Sequence, residues 1–256
     1  MKRIAIVTGA SSGIGKEFFH SLETKPLDEI WVIARSAEKL EALRAETKTP
    51  LRVLPLDLSF TESAQVLAQA LKTADAEVDY LICASGFGRF CAVEDDDTAV
   101  LENMIDLNCK SIVSVTKEVA PYMAKGGVMI LIASVAAMQP IPYIATYAAS
   151  KAFVLSYGRA FNKELRKRRG ARCICVCPFW TKTAFFDRAF SSEQVVKKYA
   201  VMYKPEQIVK QTWKDLKHKN RDVSVFGAYT KAQSLLVKLL PHRVVISVWL
   251  SQQKLK

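Results

Sequence analysis

The sequence has little that would divide it. Its 256 residues include only 10 Gly and 9 Pro, scattered rather than clustered, with no linker, low-complexity tract or repeat of fixed period. One α/β domain is therefore expected, since open α/β sheets reach this size undivided. No Cys-x-x-Cys pair occurs among Cys83, Cys91, Cys109, Cys173, Cys175 and Cys177, so no metal site is predicted. No secretory signal precedes the first apolar run, which points to a cytoplasmic chain with reduced thiols. No apolar run reaches the ~20 residues that cross a bilayer. Aromatic and basic residues are not interleaved, which argues against a nucleic-acid partner despite a net charge of +12. Part of that charge is the run Lys163, Arg166, Lys167, Arg168 and Arg169. There it ends a predicted helix and meets the negative end of the dipole. Attraction of phosphates, acidic substrates or an anionic membrane surface is the other reading.

What is present is a core: 50% of residues are hydrophobic and 24% charged. Ile4–Val7 is an apolar run without polar alternation, suiting a parallel strand buried on both faces. Similar runs lie at Ile30–Ala34, Leu51–Leu56, Val78–Ala84, Val128–Ala133, Cys173–Cys177 and Val223–Phe226. Helical patterns separate them at 14–23, 37–46, 61–73 (entered through Ser59 or Thr61 as cap), 97–124 and 146–169. Cys173, Cys175 and Cys177 alternate and would face one way as small buried hydrophobes. The fold class predicted is α/β, a doubly wound, Rossmann-type parallel sheet of about seven strands with helices on both faces. Ligands on such a sheet bind beyond the carboxyl ends of the strands.

After the first strand comes Thr8-Gly9-Ala10-Ser11-Ser12-Gly13-Ile14-Gly15. Glycines let backbone approach a pyrophosphate, and free N–H groups at the next helix start favour the anion. Gly9, Ser11, Ser12, Gly13, Ile14 and Gly15 are the predicted dinucleotide loop; a plain strand-to-helix turn is the bland alternative. The second strand ends Ala34-Arg35-Ser36. A carboxylate there would select NAD(H), whereas a guanidinium binds a 2′-phosphate. Arg35 thus predicts NADP(H), with NAD(H) the alternative, because Ser12 stands where many NADP sites carry a second basic residue.

The strongest signal is Tyr147-Ala148-Ala149-Ser150-Lys151, preceded by Ser134 at the end of the fifth strand. Four residues apart on a helix, Tyr147 and Lys151 share a face. A phenol titrates near 10, and a nearby ammonium and the nicotinamide cation would move it toward neutrality.

With Asp57-Leu58, Asn108 and Pro178-x-x-x-x-Thr183 added, the chain resembles the short-chain dehydrogenase/reductase family, in its single-domain subgroup of about 250 residues. The resemblance runs to about Phe226. It implies Tyr147 as acid and base, Ser134 as polariser of the substrate oxygen, and Lys151 as tyrosine modulator and ribose ligand. It further implies Asn108 holding a relay water, Asp57 and Leu58 at the adenine, Ala84 and Gly86 beside the adenosine ribose, and Pro178, Thr181 and Thr183 at the carboxamide and pyrophosphate. A homodimer or homotetramer acting on a small carbonyl or alcohol follows from the same resemblance.

Two departures stand out. Cys83-Ala84-Ser85-Gly86 replaces the Asn-Asn-Ala-Gly of many members, losing amides that tie this strand to its neighbours. Phe179 replaces the usual glycine after Pro178, and with Trp180 adds bulk beside the nicotinamide position. Phe185, Phe186, Phe190, Tyr199, Met202 and Tyr203 follow; they suit either a lid for a hydrophobic substrate or packing on the core or an interface. The expected organisation is a catalytic domain over 1–230, with a substrate lid around 179–217, and an amphipathic extension over 231–256. That extension, basic and Trp-bearing, suits interfacial membrane contact, oligomer packing or closure over the site. Function is accordingly expected as NADP(H)-linked interconversion of an alcohol and a carbonyl. The alternatives are a catalytically weak dinucleotide-binding regulator and a membrane-surface lipid or sterol reductase.

Overall fold

Strands without polar alternation need cover on both sides, and this sheet receives it. The computed structural model describes residues 1–189, 195–196 and 198–255. Its strands are β1 (Lys2–Thr8), β2 (Glu29–Ala34), β3 (Leu51–Pro55), β4 (Ala76–Cys83), β5 (Met123–Ile132), β6 (Arg172–Val176) and β7 (Val223–Ser224). They form one seven-stranded sheet in the order β3-β2-β1-β4-β5-β6-β7, with every pairing parallel. The helices are α1 (Gly13–Ser21), α2 (Ala37–Glu41), α3 (Thr61–Ala74), α4 (Thr98–Ile105), α5 (Ser111–Val119), α6 (Ala145–Arg169), α7 (Phe185–Ala189), α8 (Pro205–Leu216), α9 (Ala228–Leu239) and α10 (His242–Gln253).

The two-residue period of each strand divides its side chains between two cores. Ile4, Ile6, Trp31 and Ile33 join α3, α5 and α6 on one face. Ala5, Val7, Ile30 and Val32 join α1, α2 and α8 on the other. Cys173, Cys175 and Cys177 all fall on the first face, unpaired and buried as expected. Burying a residue the size of Phe18, fully enclosed here, is worth about 1.5–3 kcal/mol. Gly158 lets α6 approach β6: a Cβ there would stand 2.4 Å from the Cys175 sulfur. That contact sets the depth at which α6 presents Tyr147 and Lys151.

Two expectations are corrected. The helical pattern over 97–124 is not one helix: a π-helical turn at Asp106–Lys110 separates α4 from α5, and β5 already begins at Met123. Neither Ser59 nor Thr61 caps α3; Phe60 occupies the N-cap without a side-chain bond. The Ser59 hydroxyl instead donates to Asp57 Oδ1 at 2.7 Å. The extension at the chain end is two helices parted by Pro241. No helix among the described residues is long and apolar enough to cross a membrane.

Candidate functional site

The strand order reverses between β1 and β4, where neighbouring crossovers run to opposite sides and open a crevice. A cavity of about 1070 Å³ extends from it. One end is lined by the whole loop Gly9, Ser11, Ser12, Gly13, Ile14 and Gly15. Gly9 and Gly13 hold φ of +66° and +56°, a region costly for other residues. Gly15 is needed for closeness instead: a Cβ there would stand 2.2 Å from the Gly9 carbonyl oxygen, and one at Gly9 2.8 Å from Ala84 backbone. The loop is folded back on itself and on the end of β4, and leads into α1 at Gly13.

Arg35, Asp57 and Leu58 line the next portion, with Ala84 and Gly86 opposite. Arg35 Nη1 stands 4.0 Å from Asp57 Oδ2, both groups partly exposed. A contact so long and wet contributes little, so the guanidinium is free to turn toward a ligand. The sequence missed Ser36 and Lys39, which also line this end. The Ser36 hydroxyl accepts from Lys39 N at 3.3 Å, capping α2. Lys39 supplies the second cation absent from the glycine loop; its only sequence signal was its place one turn after Arg35.

At the centre Ser134, Tyr147 and Lys151 line the same cavity. The Ser134 oxygen accepts from Ala136 N at 3.1 Å, leaving its proton to give. Lys151, 6% exposed, donates to the Ile132 carbonyl at the end of β5 at 2.8 Å, with Nζ 5.8 Å from the Tyr147 ring centre. Burial pushes the lysine down to about 8. Burial likewise pushes the Tyr147 phenol up to about 12, opposed by a hydrogen bond with Ser134. Burial thus sets the direction of the phenol's shift in the protein alone; the expected lowering requires the nicotinamide cation as well as the Lys151 ammonium.

Asn108 is the one predicted residue that does not reach the cavity. It sits in the π-helical turn, 1% exposed. Its amide donates to the Phe87 carbonyl at 2.9 Å and to Ser150 Oγ at 3.0 Å, and accepts from Phe87 N at 3.1 Å. Both amide protons are taken, so the side chain braces the segment after β4, with Oδ1 behind Gly86 on the side of Lys151 Nζ. The Thr8 hydroxyl accepts from Ala84 N and Ser85 N at 3.1 and 3.2 Å. Together Thr8 and Asn108 secure the Cys83–Gly86 turn that lacks its usual amides.

Beyond Ser134, Tyr147 and Lys151, the cavity is lined by Pro178, Phe179, Trp180, Thr181 and Thr183. The Pro178 carbonyl accepts from Val135 N at 3.1 Å, joining the ends of β5 and β6. Thr183 lies over the glycine loop, its Cγ2 3.1 Å from where a Gly13 Cβ would be. Trp180 packs with Phe186 and Tyr199, and Phe185 with Tyr147, in a third apolar cluster. Tyr203 instead packs on Phe226 in the main core. α8, within the span expected as lid, packs there too. Phe190 lies outside the described residues. The far wall, including Gln233, Val237 and Trp249, comes from α9 and α10.

The geometry agrees with the comparisons. The family model described as short chain dehydrogenase matches residues 3–194. A very-long-chain 3-oxoacyl-CoA reductase of Podospora anserina is 33% identical over 63% of this chain and 50% of its own. One of Neurospora crassa is 32% identical over 70% of this chain and 56% of its own. The matched region thus spans about half the length of these curated relatives. A short-chain dehydrogenase from Sphingobium yanoikuyae in complex with NADPH superposes with a TM-score of 0.77 at 23% identity, covering 91% of this chain and 92% of that one. One from Burkholderia phymatum in complex with NAD gives 0.78 at 19%, covering 95% and 94%. Sheet order, glycine loop and matched span together show that this chain belongs to the short chain dehydrogenase family.

Proposed function

We propose that the chain is an NADP(H)-linked reductase that converts a hydrophobic carbonyl compound to its alcohol. The observation carrying this reading is that Ser134, Tyr147 and Lys151 line one cavity with the folded-back glycine loop. The loop fits a dinucleotide because its backbone stands where side chains would block a pyrophosphate. Arg35 and Lys39 favour the 2′-phosphate over a bare ribose. When bound, the nicotinamide supplies the hydride.

This chain's own residues supply position and proton. Ser134 donates to the substrate oxygen and holds it near the phenol. Tyr147, kept protonated near neutrality by a pKa of about 12, gives its proton to the developing alkoxide. Lys151 would donate to the nicotinamide ribose, and its charge, 5.8 Å from the Tyr147 ring centre, would offset that of the tyrosinate left behind. The apolar cluster of Phe90, Trp180, Phe185 and Phe186 excludes water and supports an apolar substrate. The relatives' names make long-chain 3-oxoacyl thioesters the first compounds to try. Exposed Ile105 on α4 and Phe153 on α6 support a homo-oligomer.

NADPH consumption with apolar ketones and 3-oxoacyl thioesters tests the reading. Tyr147→Phe is expected to lower kcat by about 10²–10⁴-fold while NADPH binding, followed by fluorescence, is retained. Equal turnover by the variant would refute it.

A further inference from the structure

The last two helices have unlike faces. Val237, Val245, Trp249 and Gln253 are buried against the body. Trp249 Nε1 donates to the Pro142 carbonyl at 3.2 Å. The Gln253 amide accepts from Lys198 N at 3.0 Å and donates to the Lys198 carbonyl at 3.2 Å. These bonds fasten α10 as a wall of the cavity.

The outer face is apolar and basic. Leu235, Leu236, Leu239, Val244 and Val248 are 39–73% exposed, a concentration of large aliphatics that a freely soluble surface avoids. Lys231, Lys238 and Arg243 are exposed on the same two helices and Lys254 just after them, and residues 223–256 contain no Asp or Glu. Leu236 and Val248 are at once exposed and cavity-lining. The mouth of the cavity therefore opens through the apolar patch.

We propose that α9 and α10 dock the protein on an anionic lipid surface, with the aliphatic side chains entering the interface and the cations meeting headgroups. The cavity mouth then faces the bilayer, and an apolar substrate passes between lipid and active site without crossing water. This delivery step rests on the reductase reading; the docking does not. A second copy of the chain is a poorer occupant, because a two-fold contact through this patch would bring like cations together with no acidic partner.

Sedimentation of the full chain with phosphatidylcholine vesicles, with and without phosphatidylserine, provides the test. Binding is expected only with phosphatidylserine and should weaken as salt rises. Leu235→Ser with Leu239→Ser, two positions outside the cavity lining, should reduce the bound fraction by about tenfold or more. Its melting temperature and NADPH binding should stay unchanged, which separates lost docking from lost folding. No binding to either vesicle overturns the proposal. So does a wild-type dimer that the double variant converts to monomer. Vesicle binding without turnover on any carbonyl supports the docking and removes the reductase reading; turnover without vesicle binding does the reverse.

Discussion

The two ends of the cavity are built by different means. At the nucleotide end the wall is backbone: Gly15 lies within van der Waals contact of the Gly9 carbonyl, and Gly9 against Ala84. At the substrate end the wall is side chain: Trp180, Phe185, Phe186 and Trp249, drawn from segments far apart in the chain. A backbone wall has one geometry and tolerates almost no added atom. A side-chain wall can be re-formed by several residues of similar volume. A shared cofactor site and a variable substrate site place these opposite demands on one cavity.

Three substitutions would break or sharpen this contrast. Gly15→Ala should be the most damaging, because its methyl would meet a carbonyl oxygen that no rotamer change can move. We expect about 3 kcal/mol or more of lost stability and no measurable NADPH titration; a thermal melt within error of wild type would show that the loop is looser than its geometry.

At the junction of the two ends, Lys151 should leave a signature in pH. Its pKa falls from 10.5 to about 8 in the folded protein, so between those values the unfolded chain binds more protons. The contribution of Lys151 to stability therefore rises as pH climbs from about 8 toward 10, and below 8 the buried ammonium costs roughly 3 kcal/mol. Above pH 10 the gain is opposed, because the Tyr147 phenol is raised from 10 to about 12 and the unfolded chain loses that proton first. The buried thiols of Cys83 and Cys177, raised by desolvation, and of Cys173, raised by its hydrogen bond with Cys175 and by desolvation, lower the stability of any variant above pH 9. The signature is therefore a difference: denaturant unfolding at pH 7 and 9.5 should show wild type gaining on Lys151→Met, and parallel curves would contradict the burial argument.

Phe179→Gly should have the smallest effect on the fold. The ring is half-buried beside Tyr229, and its loss should cost under about 1.5 kcal/mol. It should shift the ratio of kcat/KM between bulky and small carbonyls by about tenfold toward the bulky one. An unchanged ratio would mean that Phe179 does not bound the substrate.

Much of the nucleotide end was legible because its chemistry requires particular residues at close spacing. Glycines at 9, 13 and 15, Arg35 and the Tyr147–Lys151 pair each express a local rule. Other features depended on neighbours that a sequence does not display. The π-helical turn that carries Asn108 reads as uninterrupted helix, since its apolar period barely changes. Its amide bonds with Phe87 bridge 21 positions. The direction of the Tyr147 shift was also hidden, because spacing reports that an ammonium is near and says nothing about how much water has been removed.

Short apolar runs without polar alternation, glycines where backbone must crowd, and an i, i+4 phenol–ammonium pair were enough to determine the parallel sheet and the centre of the cavity, because each is a short-range requirement. Tertiary structure alone decided that the Asn108 amide braces Phe87 and Ser150, that Lys39 joins Arg35, and that the last two helices wall the substrate end while turning aliphatic side chains outward. Those outcomes are set by which elements meet in space, and burial and partner choice are properties of that meeting rather than of any one segment.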